Sequence, residues 1–190
     1  DVTGSGLIEW NETGITSNGT FTTEDLDFAA AFGPVTGAAG TIAFADLLGL
    51  TTAPDQVLRI ATVNPGTVVS DGVVRYALRN GETLLVHGGE WPFFGGRLVM
   101  QPVTIHFGVP EVRRYTFEIT GLDAARFVAN LGMSNLSASG TFDGTMPIVF
   151  DKDGNGQLAN GLLVSNAPGG NVSYVGELTY EDLSPIANFA

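Results

Sequence analysis

Hydrophobic and polar residues alternate with period two along most of the chain, in segments bounded by Gly, Asn, Asp and Pro, and this pattern predicts strands joined by hairpins. Between Thr141 and Phe150, the side chains of Phe142, Met146, Ile148 and Phe150 share one face with Gly144, while Thr141, Asp143 and Thr145 take the other. Upstream, Tyr115, Phe117 and Ile119 oppose Arg114, Thr116 and Glu118, and Val74, Tyr76 and Leu78 oppose Arg75 and Arg79. Downstream, Val172, Tyr174, Leu178 and Tyr180 oppose Asn171, Ser173, Glu177 and Thr179. Each predicted strand therefore has one apolar face. New strands repeatedly open on Gly, as in GLIEW from Gly6, GTIAF from Gly40, GVVRY from Gly72 and GRLVM from Gly96. Their spacing is irregular, which excludes a solenoid of fixed repeat and leaves a meander of hairpins.

Several segments break the alternation. TGLDAARFVANLG, with a polar start, apolar Phe127, Val128 and Leu131 and a closing Gly132, predicts a helix of about two turns. FADLLGL is a candidate second helix; EDLSPIANFA opens a third, and because the chain stops inside it a longer natural protein is expected. Around Pro102 the apolar set moves from Leu98 and Met100 to Val103, Ile105 and Phe107, which predicts a bulge or an edge position, since proline lacks the ladder N–H. WPFFGG, Trp91 to Gly96, reads as a hairpin corner with its rings in the core. The expected fold is all-β with one or two short helices, and the alternation alone fits an open apolar trough and a closed β-sandwich equally well.

Composition adds two constraints. Hydrophobic residues make up 44% and charged residues 15%, with a mean hydropathy of +0.20, so the apolar surface is large and has to be hidden or used. Twenty Asp+Glu against eight Lys+Arg give a net charge of −12, which argues against nucleic acid and against electrostatic attraction to anionic head groups. No apolar run is long enough to span a membrane as a helix. Cysteine is absent, and with it disulfides and thiolate metal sites. The chain opens at Asp1 with neither Met nor a leader pattern, and a mature or excised segment is expected.

The inventory of reactive groups is thin. Neither a nucleophile elbow, a zinc-protease motif, a P-loop nor a dinucleotide fingerprint occurs. His87 and His106 both fall in strand patterns, where structural or surface roles are expected. Asp25 with Asp27, and Glu9 with Glu12, read as a solvated acidic face rather than a glycosidase pair. The segment FDKDGNGQLANG places Asp151, Asp153 and Asn155, weak metal-ligand candidates, at the first, third and fifth positions of a Ca²⁺ loop. Its twelfth position, where a bidentate Glu belongs, is Leu162, and its flanks alternate with period two where helices should stand. A wide hairpin turn explains the same residues. No cofactor and no catalytic residue is expected.

Three long phrases carry a resemblance: RIATVNPGTVVSDGVVRYALRNGETLLVHGGEWPFFGGRLVMQPVTIHF, RRYTFEITGLDAARFVANL and GTFDGTMPIVFDKDGNGQLANGLLVSNAPGGNVSYVGEL. Over Gly37 to Leu178 the chain resembles the YdbH-like proteins of the AsmA/TamB group, bridge-like lipid transfer proteins of Gram-negative envelopes; residues 1–36 match more loosely. The resemblance implies that residues 1–190 are one piece of a longer, strongly curved β-sheet folded into a groove, apolar inside and polar outside. It implies phospholipid transport between inner and outer membrane, acyl chains as the ligand, a periplasmic location with the full-length protein anchored in the inner membrane, and no enzymatic activity. The strand faces assign the groove lining to Val74, Tyr76, Leu78, Tyr115, Phe117, Ile119, Phe142, Met146, Ile148, Phe150, Val172, Tyr174 and Leu178. A cut sheet leaves an edge, so self-association or a partner added as a strand is expected, such as a small outer-membrane lipoprotein. The alternatives are a secreted carbohydrate-binding or adhesion module, for which Trp10, Trp91 and Phe94 are the available platform, and dicarboxylate transport, an older label of the family, which needs Arg113 and Arg114 to converge. The turn reading of Asp151 to Leu162 predicts that millimolar Ca²⁺ leaves the melting temperature unchanged; a rise of several degrees, reversed by EDTA, contradicts it.

Overall fold

The structure, a computed structural model, describes residues 1–30, 33–64, 68–152 and 155–174. In chain order its elements are β1 (Val2–Asn11), β2 (Gly14–Ala30), β3 (Gly33–Asp46), β4 (Thr51–Thr52), β5 (Gln56–Val63), β6 (Val69–Arg79), β7 (Thr83–Phe93), β8 (Gly96–Met100), β9 (Val103–His106), β10 (Arg113–Asp123), α1 (Ala124–Asn130), β11 (Leu136–Ala138), β12 (Thr141–Phe150), β13 (Gly156–Leu158), β14 (Leu162–Ser165) and β15 (Val172–Tyr174). Strands pair in the order β1-β2-β3-β5-β6-β7-β8-β10-β12-β13, with β4, β9 and β14 added on β3, β7 and β12, to give one thirteen-stranded sheet. Every pairing is antiparallel, so the predicted meander is what forms. The path is open, with β1 at one edge, and is neither a closed barrel nor two facing sheets. β11 and β15 make a separate two-stranded ladder.

Cross-strand partners share a face, so the register sorts the side chains. Leu98, Ile119 and Gly144 form one row, and Met100, Phe117 and Met146 the next; Tyr115 lies opposite Ile148. Glu118, Val99 and Thr145 form a row on the other side. The first side is the hydrophobic core: Val35, Ile60, Trp91, Leu98, Tyr115, Leu122 and their neighbours bury against one another along it.

The inward face does not keep strict period two. Ala38, Ile60 and Gly72 form one cross-strand row; Val35, Val63 and Val69 form the next, three residues on in each strand instead of two. The extra residue is accommodated by left-handed backbone at Gly37 (φ 62°) and Asp71 (φ 58°). A second aligned step joins Val86 and Val103 to Gly89 and Met100. It falls at Gln101 and Pro102, the predicted slip, where the Gln101 N–H donates to the Thr116 carbonyl at 2.8 Å. On β10 the step from Ile119 to Leu122 passes through Gly121 (φ 67°), whose N–H donates to Asp143 Oδ1 at 2.7 Å. Hydrogen bonds from the Asn166 side chain and this N–H hold the Asp143 carboxyl below its ordinary value. Each step bends the strands and adds twist, and steps aligned across neighbours bend the sheet as a whole.

WPFFGG is the predicted corner. Phe93 pairs with Gly96, and Phe94 (φ 43°) with Gly95 (φ 85°) supplies the two left-handed residues that a tight hairpin needs. The Phe94 ring lies between Phe93, at 4.5 Å, and Phe127 of α1, at 5.5 Å. Helix α1 is the predicted short helix, capped by Asp123, which accepts from the Arg126 N–H at 3.0 Å. FADLLGL is not a helix: β3 runs on to Asp46, whose carboxylate accepts from the Gly49 N–H at 3.0 Å and the Ser17 hydroxyl at 2.7 Å and so closes a turn instead. EDLSPIANFA lies outside the described residues.

Gly72 marks the tightest packing on the inner face, since a Cβ there would sit 1.9 Å from the Trp91 Nε1, an atom that is buried without a hydrogen-bond partner. Replacing Gly72 by Val must push the indole out of the core, at a cost of about 1–3 kcal/mol and several degrees in Tm. Combining it with Trp91→Leu is expected to recover part of that loss, which thermal melts by circular dichroism will show as non-additivity.

Candidate functional site

The inner face has two parts. From β7 to β12 it is filled by its own side chains. Trp91 is 5% exposed and its ring lies 6.5 Å from Phe117; Tyr115 and Phe150 meet edge to face at 5.5 Å. Burial pushes the Tyr115 phenol up from its ordinary value, with the Arg113 charge opposing and Glu111 adding to the shift. From β1 to β6 the same face opens into a cleft of about 220 Å³, walled by Val2, Phe21, Leu26, Phe28, Ile42 and Tyr76 among others, and almost wholly apolar. Consecutive strands from β1 to β6 can share one cleft only if the sheet curves strongly there. Leu26 and Phe28 are each 40% exposed, and burial raises the Tyr76 phenol.

The residues assigned to a lining from sequence divide along this boundary. Tyr76 borders the cleft. Tyr115, Ile119 and Phe150 are buried, and Val74, Phe117, Phe142, Met146 and Ile148 pack half-buried against the same core. Leu78 is half-buried, opposite Leu84 on the same face. Val172 and Tyr174 belong to the two-stranded ladder with Leu136 and Ala138, off the large sheet, and Val172 is exposed. Leu178 lies outside the described residues.

Most of the cleft wall was missed by sequence reasoning. Phe21 and Thr23 alternate correctly, but the register shifts between Thr23 and Leu26, so Leu26 and Phe28 fall out of phase with them. Two alternating runs offset by one residue, on either side of Glu24 and Asp25, were the available signal.

The other candidates are scattered. Asp151 accepts from the Asn155 N–H (2.9 Å) and Nδ2 (3.0 Å), closing the β12–β13 hairpin as a turn-forming Asp does; Asp153 lies outside the described residues, and Leu162 stands in β14. Trp91 is in the core while Trp10 is 85% exposed at the β1–β2 hairpin, so with Phe94 wedged between Phe93 and Phe127 the aromatics make no shared platform. Arg113 and Arg114 pair with Phe150 and Val149 and so point to opposite faces. His87 meets Asp55 at 3.1 Å and His106 meets Glu111 at 3.3 Å, both as surface contacts. Among the described residues no helix is long and apolar enough to cross a membrane.

No curated protein and no solved structure matches the chain. The profile of the YdbH-like family, described as intermembrane phospholipid transport protein YdbH, matches residues 1–190 and so takes in β1, β2 and the cleft wall as well as the later strands. An all-β chain with a single large sheet and one apolar face, matched by this profile from end to end, belongs to the YdbH-like family, a family of lipid transport proteins and not of enzymes.

Proposed function

We propose that the inner face is the surface along which phospholipid acyl chains move between the two membranes of a bacterial envelope, and that the cleft between β1 and β6 is the part of it that holds them. The observation that carries this reading is the cleft itself: an apolar wall built from five neighbouring strands and left open where the rest of the face is filled. Two chains of about 16 carbons cost on the order of 25 kcal/mol to pass through water, at about 0.8 kcal/mol per CH₂. An apolar lining removes most of that barrier while the head group stays in solvent, and the task needs no nucleophile, base or metal. The five strands of the cleft wall, spaced about 4.8 Å apart, give an open lining of roughly 20 Å along the curve. The family's intermembrane role supports a periplasmic site of action, and anchoring of the full-length protein in the inner membrane is part of the same proposal.

Native mass spectrometry of the purified protein is expected to detect co-purified phospholipid. Leu26→Asp and Phe28→Asp place a carboxylate where water already reaches, so both variants should melt within a few degrees of the parent and lose binding of a fluorescent fatty-acid probe. Ile119→Asp, at a position 5% exposed, buries an unpaired charge and should unfold the chain. Thr145→Asp on the outer face should change neither property. Undiminished probe binding in both folded cleft variants would rule the cleft out as the lipid path.

A further inference from the structure

Of the eight basic residues, five (Arg59, Arg75, Arg79, Arg97 and Arg114) stand on the outer face of the large sheet, Arg126 is on α1 and Lys152 is in the β12–β13 turn. Arg113 alone lies on the apolar face, two residues before Tyr115 in β10 and opposite Phe150 in β12. Its guanidinium is fixed from one side: Nη2 donates to the carbonyls of His106 (3.3 Å) and Val109 (3.4 Å) in the β9–β10 loop. Its Nε is buried and has no hydrogen-bond partner. The acid of that loop, Glu111, meets His106, and Arg113 forms no ion pair among the described residues.

A guanidinium held this way has unused donors in an apolar setting, an arrangement that is costly alone and favourable once an oxyanion accepts from them. The setting also selects the kind of oxyanion. Tyr115 and Phe150 border Arg113 on the sheet, and the adjoining loop exposes Phe107, Val109 and Val112 to solvent at 49%, 49% and 60%. A cation between an apolar face and exposed apolar side chains matches a molecule that carries its negative charge next to hydrocarbon.

We propose that Arg113 is a head-group anchor: it binds the phosphate oxygens of a phospholipid whose acyl chains lie on the inner face, and so orients each lipid with its head at the β9–β10 margin. The assignment rests on the reading of that face as an acyl-chain surface. Inorganic phosphate and dicarboxylates share the oxyanion chemistry, and the apolar surroundings of Arg113 are what favour the lipid over them.

The test measures binding of phosphatidylglycerol and of diacylglycerol carrying the same fluorescent acyl chain, with inorganic phosphate and succinate as competitors. Arg113→Gln is expected to weaken phosphatidylglycerol about tenfold, the effect of losing charge-assisted hydrogen bonds, and to leave diacylglycerol unchanged. Arg113→Lys should fall between parent and Arg113→Gln, and Arg114→Gln, on the opposite face, should match the parent. Equal weakening of both probes, or of neither, overturns the anchor while leaving the acyl-chain reading standing. Displacement of phosphatidylglycerol by millimolar phosphate or succinate, with diacylglycerol undisturbed, assigns Arg113 to a free anion and also overturns it. A parent that binds neither probe removes the anchor and the acyl-chain surface together. Should Arg113→Gln not fold, the parent decides: diacylglycerol bound as tightly as phosphatidylglycerol refutes the anchor.

Discussion

A sheet ten strands wide with one apolar side must take that side out of water, and among the described residues only a seven-residue helix and a two-stranded ladder lie off it. In a sandwich a second sheet would provide the cover; here curvature has to. The aligned steps at Ala38/Val35, Ile60/Val63 and Gly72/Val69, and again at Gly89/Val86 and Met100/Val103, bend neighbouring strands at a common level. Glycines then let large side chains lie flat against the bent backbone, as Trp91 does over Gly72. The burial of Val35, Trp91, Leu98 and Tyr115 at a few per cent exposure follows from that geometry.

Curvature also explains how one face can be both core and surface. Where large rings are dense, at Trp91, Phe117, Tyr115 and Phe150, they fill the concavity and supply the burial that stabilises the fold. Where the inward position is Gly40, which lines the cleft, the concavity stays open between Val2, Phe28 and Tyr76. A stable apolar cleft next to a packed core needs no moving part to expose hydrocarbon.

The charges complement this division. Glu118, Arg97, Glu90 and Arg75 lie on the outer face, and His87 and His106 find acids at the margins. A net charge of −12 favours solubility in a chain this apolar. Arg113 is the exception among the basic residues, and its isolation is what gives it a specific meaning.

Strand existence, the hairpin meander, helix α1, the corner at WPFFGG, the slip at Pro102 and the turn at Asp151 were legible in the sequence, because each depends on alternation or turn chemistry within about ten residues. The resemblance carried by three phrases supplied the family. FADLLGL was misread because the hydrogen bond that closes its turn reaches back to Ser17. Sorting the apolar residues into packed and open was beyond local pattern: Tyr115 and Leu26 are both inward and apolar, yet one is 3% exposed and the other 40%. What separates them is which strands lie across the curve. Period-two alternation states the side of the sheet a residue takes, while its depth depends on bulges in strands that are far apart in sequence, and only the assembled sheet brings those together.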